Sequence, residues 1–133
     1  MRYFADTWFW IALLNPKEPG YPNANALMKK IGDEIITSQL VMIEFMAHSS
    51  DMGAYLRTKC YTLVDSLTSS PIKVIPHTEE IYGRAFATYG KVSKDKKWSL
   101  VDCASFEIMR DENITHALTE DGHFTQAGFV IAS

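Results

Sequence analysis

Residues 98–129, WSLVDCASFEIMRDENITHALTEDGHFTQAGF, decide the reading of this fold. Leu100 to Arg110 reads as a helix, and His116 to Thr119 as a short strand, with an aspartate, Asp121, two residues beyond it. A second strand candidate, Phe129 to Ala132, follows after a short excursion. A helix feeding a brief apolar strand is the repeating half of a parallel α/β sheet.

The same alternation continues upstream. Ser93 to Lys97 is a charged turn, and Glu79 to Val92 before it is helical. Ile72 to Ile75 (IKVI) is a strand candidate set off by the break Thr68 to Pro71. Ala54 to Leu67 is helical, with Leu56, Cys60, Leu63, Val64 and Leu67 on one face. Glu34 to Ser38 is a strand leading into a helix near Gln39, and Ala24 to Ile31 has helical spacing through Ala24, Leu27 and Ile31. Asn15 to Pro22 is the most loop-like stretch. At the start, Arg2 to Ala5 is a strand, and Thr7 stands where it could cap the helix running through Leu14. Short apolar strands alternating with helices imply a mostly parallel sheet covered on both faces, so the fold class is α/β.

The bulk properties agree. A chain of 133 residues, 47% hydrophobic and 22% charged, suits one domain over residues 1–133 and shows no sign of disorder. A net charge of -3 argues against a broad basic coat for nucleic acid, but leaves room for an acidic site whose sign is reversed by bound cations. The two cysteines, Cys60 and Cys103, have neither the number nor the spacing of a disulfide framework or a zinc site. Asp6 interrupts the N-terminal apolar run, and Ile35 to Ala47 falls short of the roughly 20 residues needed to span a bilayer. The expectation is a cytoplasmic protein that does not enter a membrane.

Function is sought where parallel α/β sheets bind ligands, at the carboxyl ends of the strands. Asp6 closes the first strand and Asp121 follows the fourth, while Glu44 lies about a turn into the helix after the second. Asp102 falls near the start of the helix leading into the fourth. All four can project toward one sheet edge. Asp6 and Asp121 have an alternative reading as simple helix caps. Glu44 in LVMIEFMA and Asp102 in SLVDCASF do not, because each is an acid amid apolar neighbours with no Lys or Arg within a helical turn. A charged group there costs several kcal/mol unless it is paired or bound to a metal. Crowded carboxylates are best held by a hard divalent ion, Mg²⁺ or Mn²⁺.

These residues, with FADTWFWIALLN at the start, VMIEFMAHS in the middle and the segment quoted above, resemble the PIN domains, and within them the VapC-like toxin ribonucleases. The resemblance covers nearly the whole chain. It implies a three-layer α/β/α fold with a five-stranded parallel sheet of order 3-2-1-4-5. It also implies a metal-dependent endoribonuclease leaving 5′-phosphate and 3′-hydroxyl ends, with Mg²⁺ or Mn²⁺ as cofactor. By position, Asp6, Glu44, Asp102 and Asp121 look like the family's catalytic, metal-holding quartet, and Thr7, Ser99 and Thr119 like its supporting hydroxyls. The sequence departs from the family at Gly122, where a basic or large polar residue is common, and Glu120 adds a charge beside it that is expected to point away.

Lys91, Lys94, Lys96 and Lys97 followed by Trp98 offer a candidate RNA contact, a basic turn beside a stacking aromatic. The competing reading is a solvated turn with Trp98 anchored in the core. His123 and Phe124 are expected to brace the Asp121 loop, and Trp8 and Trp10 to be core or interface residues. Two other phosphoryl-transfer folds fit poorly. A haloacid-dehalogenase pattern wants an aspartate where Trp8 stands, and a receiver domain wants an acidic pair where Arg2 and Tyr3 stand. A stand-alone RNA-processing nuclease and a catalytically inactive RNA- or protein-binding PIN module remain as alternatives to the toxin. For a toxin, the expected partners are RNA, an antitoxin laid across the acidic groove, and a second copy of the chain. The aromatic and methionine residues of the first two helical regions, if exposed, would suit such partners.

Overall fold

The computed structural model describes residues 1–132. The elements run β1 (Tyr3–Ala5), α1 (Thr7–Leu14), α2 (Tyr21–Ile31), β2 (Ile35–Ser38), α3 (Gln39–Ser49), α4 (Ala54–Ser66), β3 (Lys73–Ile75), α5 (Glu79–Val92), α6 (Leu100–Asp111), β4 (His116–Leu118), α7 (His123–Gln126) and β5 (Val130–Ala132). The strands form one sheet of order β3-β2-β1-β4-β5 in which every pairing is parallel. Phe4 at the centre is in register with Ile36 on one side and Ala117 on the other.

Burial follows position in the sheet. All four residues of β2 are buried, whereas the edge strands β3 and β5 begin with exposed residues. This is why IITS lacks polar alternation: a strand covered on both faces has no wet side. Among the described residues, no helix is long and apolar enough to cross a membrane.

The elements agree with the sequence reading to within a few residues, and the differences have local causes. The loop expected at Asn15 to Pro22 ends at Gly20, because Pro22 sits in the first turn of α2, where a missing N–H costs nothing. Gly20 passes so close to Trp8 that a Cβ there would lie 2.7 Å from the indole, so a side chain would force the two helices apart. The short helix α7 is absent from the sequence reading, since four residues show no periodicity. Of the aromatics of α1, Phe9 and Trp10 are fully buried and Trp8 is half-buried, with the Trp10 indole donating to Thr37 Oγ1, which in turn donates to the Ala5 carbonyl. The exposed aromatics are instead Tyr55 and Tyr61 on α4 and Tyr82, Phe86 and Tyr89 on α5.

A buried aromatic block sets the position of α6. Phe106 meets Trp98 edge-on at 4.9 Å and Phe124 edge-on at 4.9 Å, and lies 5.6 Å from Phe129. It therefore clamps α6 to α7 and to the entry of β5. Phe106→Ala should lower unfolding stability by about 3–5 kcal/mol in urea denaturation. A loss below about 1 kcal/mol would show that the block does not hold these elements.

Candidate active site

In this topology the chain steps from β1 through β2 to β3 on one side, then returns to β4 on the other side of β1. Connections leaving β1 and β4 thus diverge, and a crevice opens at their carboxyl ends. Asp6 stands at its centre. Its amide extends the ladder by donating to the Leu118 carbonyl at 3.3 Å, which leaves its side chain at the floor of the crevice, 6% exposed.

The walls come from the segment after β4 and from four helices, α1, α3, α6 and α7. Thr119, just past β4, is buried and donates its hydroxyl to Asp6 Oδ2 at 3.1 Å, while accepting the Asp121 amide at 3.0 Å. Asp121 Oδ1 accepts the His123 amide at 2.9 Å, which fixes the start of α7. His123 Nδ1 lies 2.9 Å from Asp102 Oδ2 and 3.4 Å from Asp121 Oδ1. Across the crevice, the Thr7 hydroxyl donates to Glu44 Oε1.

Two sequence expectations change here. Thr7 is not the cap of α1: Asp6 occupies the N-cap position without capping through its side chain, and Thr7 is the first helical residue, its hydroxyl committed to Glu44. Conversely, capping does help to explain Asp102. Ser99 Oγ accepts the Asp102 amide and Asp102 Oδ2 accepts the Ser99 amide, both at 3.0 Å, a reciprocal capping box. Ser99 thus fixes the Asp102 backbone and carboxylate together. Asp102 is 7% exposed, whereas Glu44 is only half-buried, so the desolvation argument applies to the former and weakly to the latter.

The structure brings Asp102, Asp121 and His123 into one cluster, with a ligand atom of each within 4.8 Å of the others. Asp6 and Glu44 stand outside that cluster, and Asp6 lies within electrostatic reach of both Asp102 and Glu44. Burial pushes the Asp6 carboxyl up to about 7; the Asp102 and Glu44 charges add to the rise, and hydrogen bonds from the Thr7 amide and Thr119 hydroxyl oppose it. No Lys or Arg makes a salt bridge to any of the four acids among the described residues; His123 alone is paired with Asp102 and Asp121. Sequence reasoning ranked His123 as a brace. Its spacing, two residues past Asp121 at the start of a helix too short to detect, carried little signal.

The remaining candidates divide. Glu120 is exposed and stands outside the cluster. Lys94 and Lys97 are exposed and Lys96 is half-buried at the turn before α6. Trp98 is half-buried, donating to Gln126 Oε1 at 2.9 Å and packing on Phe106, which matches the anchored reading.

A divalent cation suits the donor set. Carboxylate oxygens of Asp6, Asp102, Asp121 and Glu44 are hard ligands, and an ion among them would relieve the repulsion and desolvation borne by Asp6. Without an ion, Asp6 destabilises the fold above neutral pH. An unfolded aspartate titrates near 3.8 and this one near 7, so the cost is absent below both values, grows as pH rises between them, and is complete above about 7. That interval is worth on the order of 4 kcal/mol. Asp6→Asn, measured in EDTA, should therefore be more stable than the parent at pH 8 and nearly equal to it at pH 4. Equal stability at both pH values would mean the carboxylate is not desolvated.

The sequence profile of the PIN domain matches residues 3–130. The chain is 26% identical over 132 residues to the 23S rRNA-specific endonuclease VapC20 of Mycobacterium tuberculosis, covering 96% of this chain and 95% of that protein. The crystal structure of VapC20, described as a Sarcin-Ricin loop cleaving toxin, superposes with a TM-score of 0.85 at 26% identity, covering 96% of both chains. VapBC2 of Rickettsia felis, bound to a promoter DNA fragment, gives a TM-score of 0.71 at 15% identity, covering 99% of this chain and 98% of that one. FitAcB of Neisseria gonorrhoeae gives 0.66 at 17% identity, covering 98% and 96%; these two likenesses are of fold.

Proposed function

The chain belongs to the PIN-domain family, and from that premise we propose that it is a metal-dependent endoribonuclease serving as the toxin of a toxin-antitoxin pair. The observation that carries this reading is the set of acids at the β1/β4 crevice, where a buried aspartate is flanked by two further carboxylates and lacks a basic partner. Such an arrangement is costly for a protein that only binds, and is useful to one that must hold a cation against a phosphodiester. The likeness to VapC20 supports RNA as the substrate class and makes 23S rRNA the first target to try.

Asp6, Asp102 and Asp121 would hold the ion, with Glu44 completing the wall. When bound, Mg²⁺ or Mn²⁺ would supply a hydroxide from water near neutral pH and stabilise charge on the phosphoryl oxygens. The chain's own residues do the positioning. Thr119 holds Asp6 Oδ2, and Thr7 holds Glu44 Oε1 on the opposite wall. Ser99 and His123 both engage Asp102 Oδ2, so this carboxylate cannot rotate without breaking two hydrogen bonds. Hydrolysis within this frame would join the water's oxygen to phosphorus and release the 3′-oxygen, and would require no covalent protein nucleophile. Lys94 and Lys97 extend from the turn before α6 and supply positive charge for the RNA backbone. An antitoxin would inhibit by covering the same crevice.

Cleavage of 23S rRNA and of a synthetic stem-loop is the direct assay, with Mg²⁺, Mn²⁺ or EDTA. Asp102→Asn should lower cleavage by about 10²–10³-fold, the equivalent of several kcal/mol of lost charge stabilisation. Thr7→Val should cost about 10–100-fold, as expected for a residue that orients a ligand. Undiminished cleavage in EDTA or by Asp102→Asn would remove the assignment.

A further inference from the structure

We propose that the exposed aromatic stripe of α5, formed by Tyr82, Phe86 and Tyr89, is a stacking platform for bases of single-stranded RNA whose scissile phosphate lies in the crevice. The inference rests on the nuclease reading for RNA as the substrate and deepens it by naming the surface that holds the strand beside the cut.

The helix carries two apolar ribbons. Ile81 and Ala85 are its buried face, and α5 packs chiefly on α6. Tyr82, Phe86 and Tyr89 recur at i, i+4 and i+7 on a second face and remain 46%, 59% and 45% exposed. Three large rings side by side make a contiguous apolar patch, the kind of surface a folded chain leaves open where something binds. Their arrangement is flat. The Tyr82 and Phe86 rings are 9° from parallel with centroids 5.9 Å apart, and His77 meets Tyr82 edge-on at 6.1 Å. Parallel rings open to water suit a nucleobase, which is planar and offers a π face whatever its identity.

The position of the stripe favours RNA as its occupant. With Ser99 and Leu100 the three rings line an open groove of about 390 Å³, within the range of sites that take small ligands. Ser99 is also the residue whose amide donates to Asp102 Oδ2, so the groove borders the wall of the crevice. The turn joining α5 to Ser99 carries Lys94 and Lys97, both exposed, and Lys96 alone of that turn is paired, with Asp95. A strand stacked along α5 meets these free cations with its phosphates as it enters the crevice. Trp98, the aromatic next to the lysines in sequence, is committed to Phe106 and Gln126, which leaves stacking to α5.

The test is photo-crosslinking of the full chain to a short single-stranded RNA carrying 5-iodouridine, in EDTA, beside fluorescence anisotropy with the same RNA labelled with fluorescein. Crosslinks mapped by mass spectrometry are expected on Tyr82, Phe86 or Tyr89. Phe86→Ala and Tyr89→Ala should each weaken RNA binding about tenfold, with an unchanged salt dependence because no charge is lost, and Phe86→Trp should retain parent affinity. The crosslinks of the parent decide the point even where an alanine variant folds poorly. Crosslinks absent from α5, or RNA affinity unchanged in both alanine variants, would overturn the proposal while metal-dependent cleavage stands. A parent dimer that Phe86→Ala dissociates in sedimentation, with no crosslink on α5, would overturn it by giving the stripe to a second copy of the chain. A parent that neither binds nor cleaves RNA would overturn it together with the nuclease reading.

Discussion

A carboxylate buried at the carboxyl end of the central strand, with hydroxyl and amide donors but no basic side chain to meet it, is the constraint around which this protein is organised. Asp6 lies at the seam where the connections from β1 and β4 part company. The backbone places it there by continuing the β1–β4 ladder, so moving it away from the crevice would require breaking the sheet. What surrounds it is arranged in the same manner: Thr119, Thr7 and Ser99 engage acidic side chains through neutral donors. Neutral donors orient a carboxylate without cancelling its charge, and the negative potential they leave is what attracts a cation.

The core and the crevice are mechanically joined. Phe106 and Asp102 lie four residues apart on α6, one turn along the same face, so the aromatic block and the crevice are set by one rigid body. Phe124 does the same for the other wall, since it directly follows His123. The Phe106–Phe124 contact at 4.9 Å therefore ties the Asp102 wall to the Asp121 and His123 wall. Site geometry of this kind depends on packing well below the chemistry, because small displacements of a ligand are amplified in binding.

Most of the architecture was legible in the chain. Strand runs such as IKVI and the helices around them announced an alternating α/β order, and the strand ends located Asp6 and Asp121 near one edge. The misreadings arose where a single side chain has more than one hydrogen-bonding choice. Thr7 is a good cap by composition, yet its hydroxyl is taken by Glu44, which is distant in sequence. Asp102 looked like an uncapped acid, yet Ser99 three residues before it completes a capping box. Trp8 and Trp10 read equally as core or interface residues, and the packing of α1 put Trp10 in the core and left Trp8 half-buried.

By itself the sequence determined the order of the strands and longer helices, the parallel sheet and which acids stand near strand ends, because hydrophobic period and strand-end position are local properties that neighbouring residues cannot hide. Tertiary structure alone decided how those acids are grouped. It placed Asp102 with Asp121 and His123, set Glu44 against Thr7 on the other wall, and left Asp6 buried between neighbours of its own charge. These relations join residues as far apart as Asp6 and Thr119, and they depend on strand order and helix packing. A linear pattern carries the donors, but only the folded chain brings their atoms to within hydrogen-bonding distance.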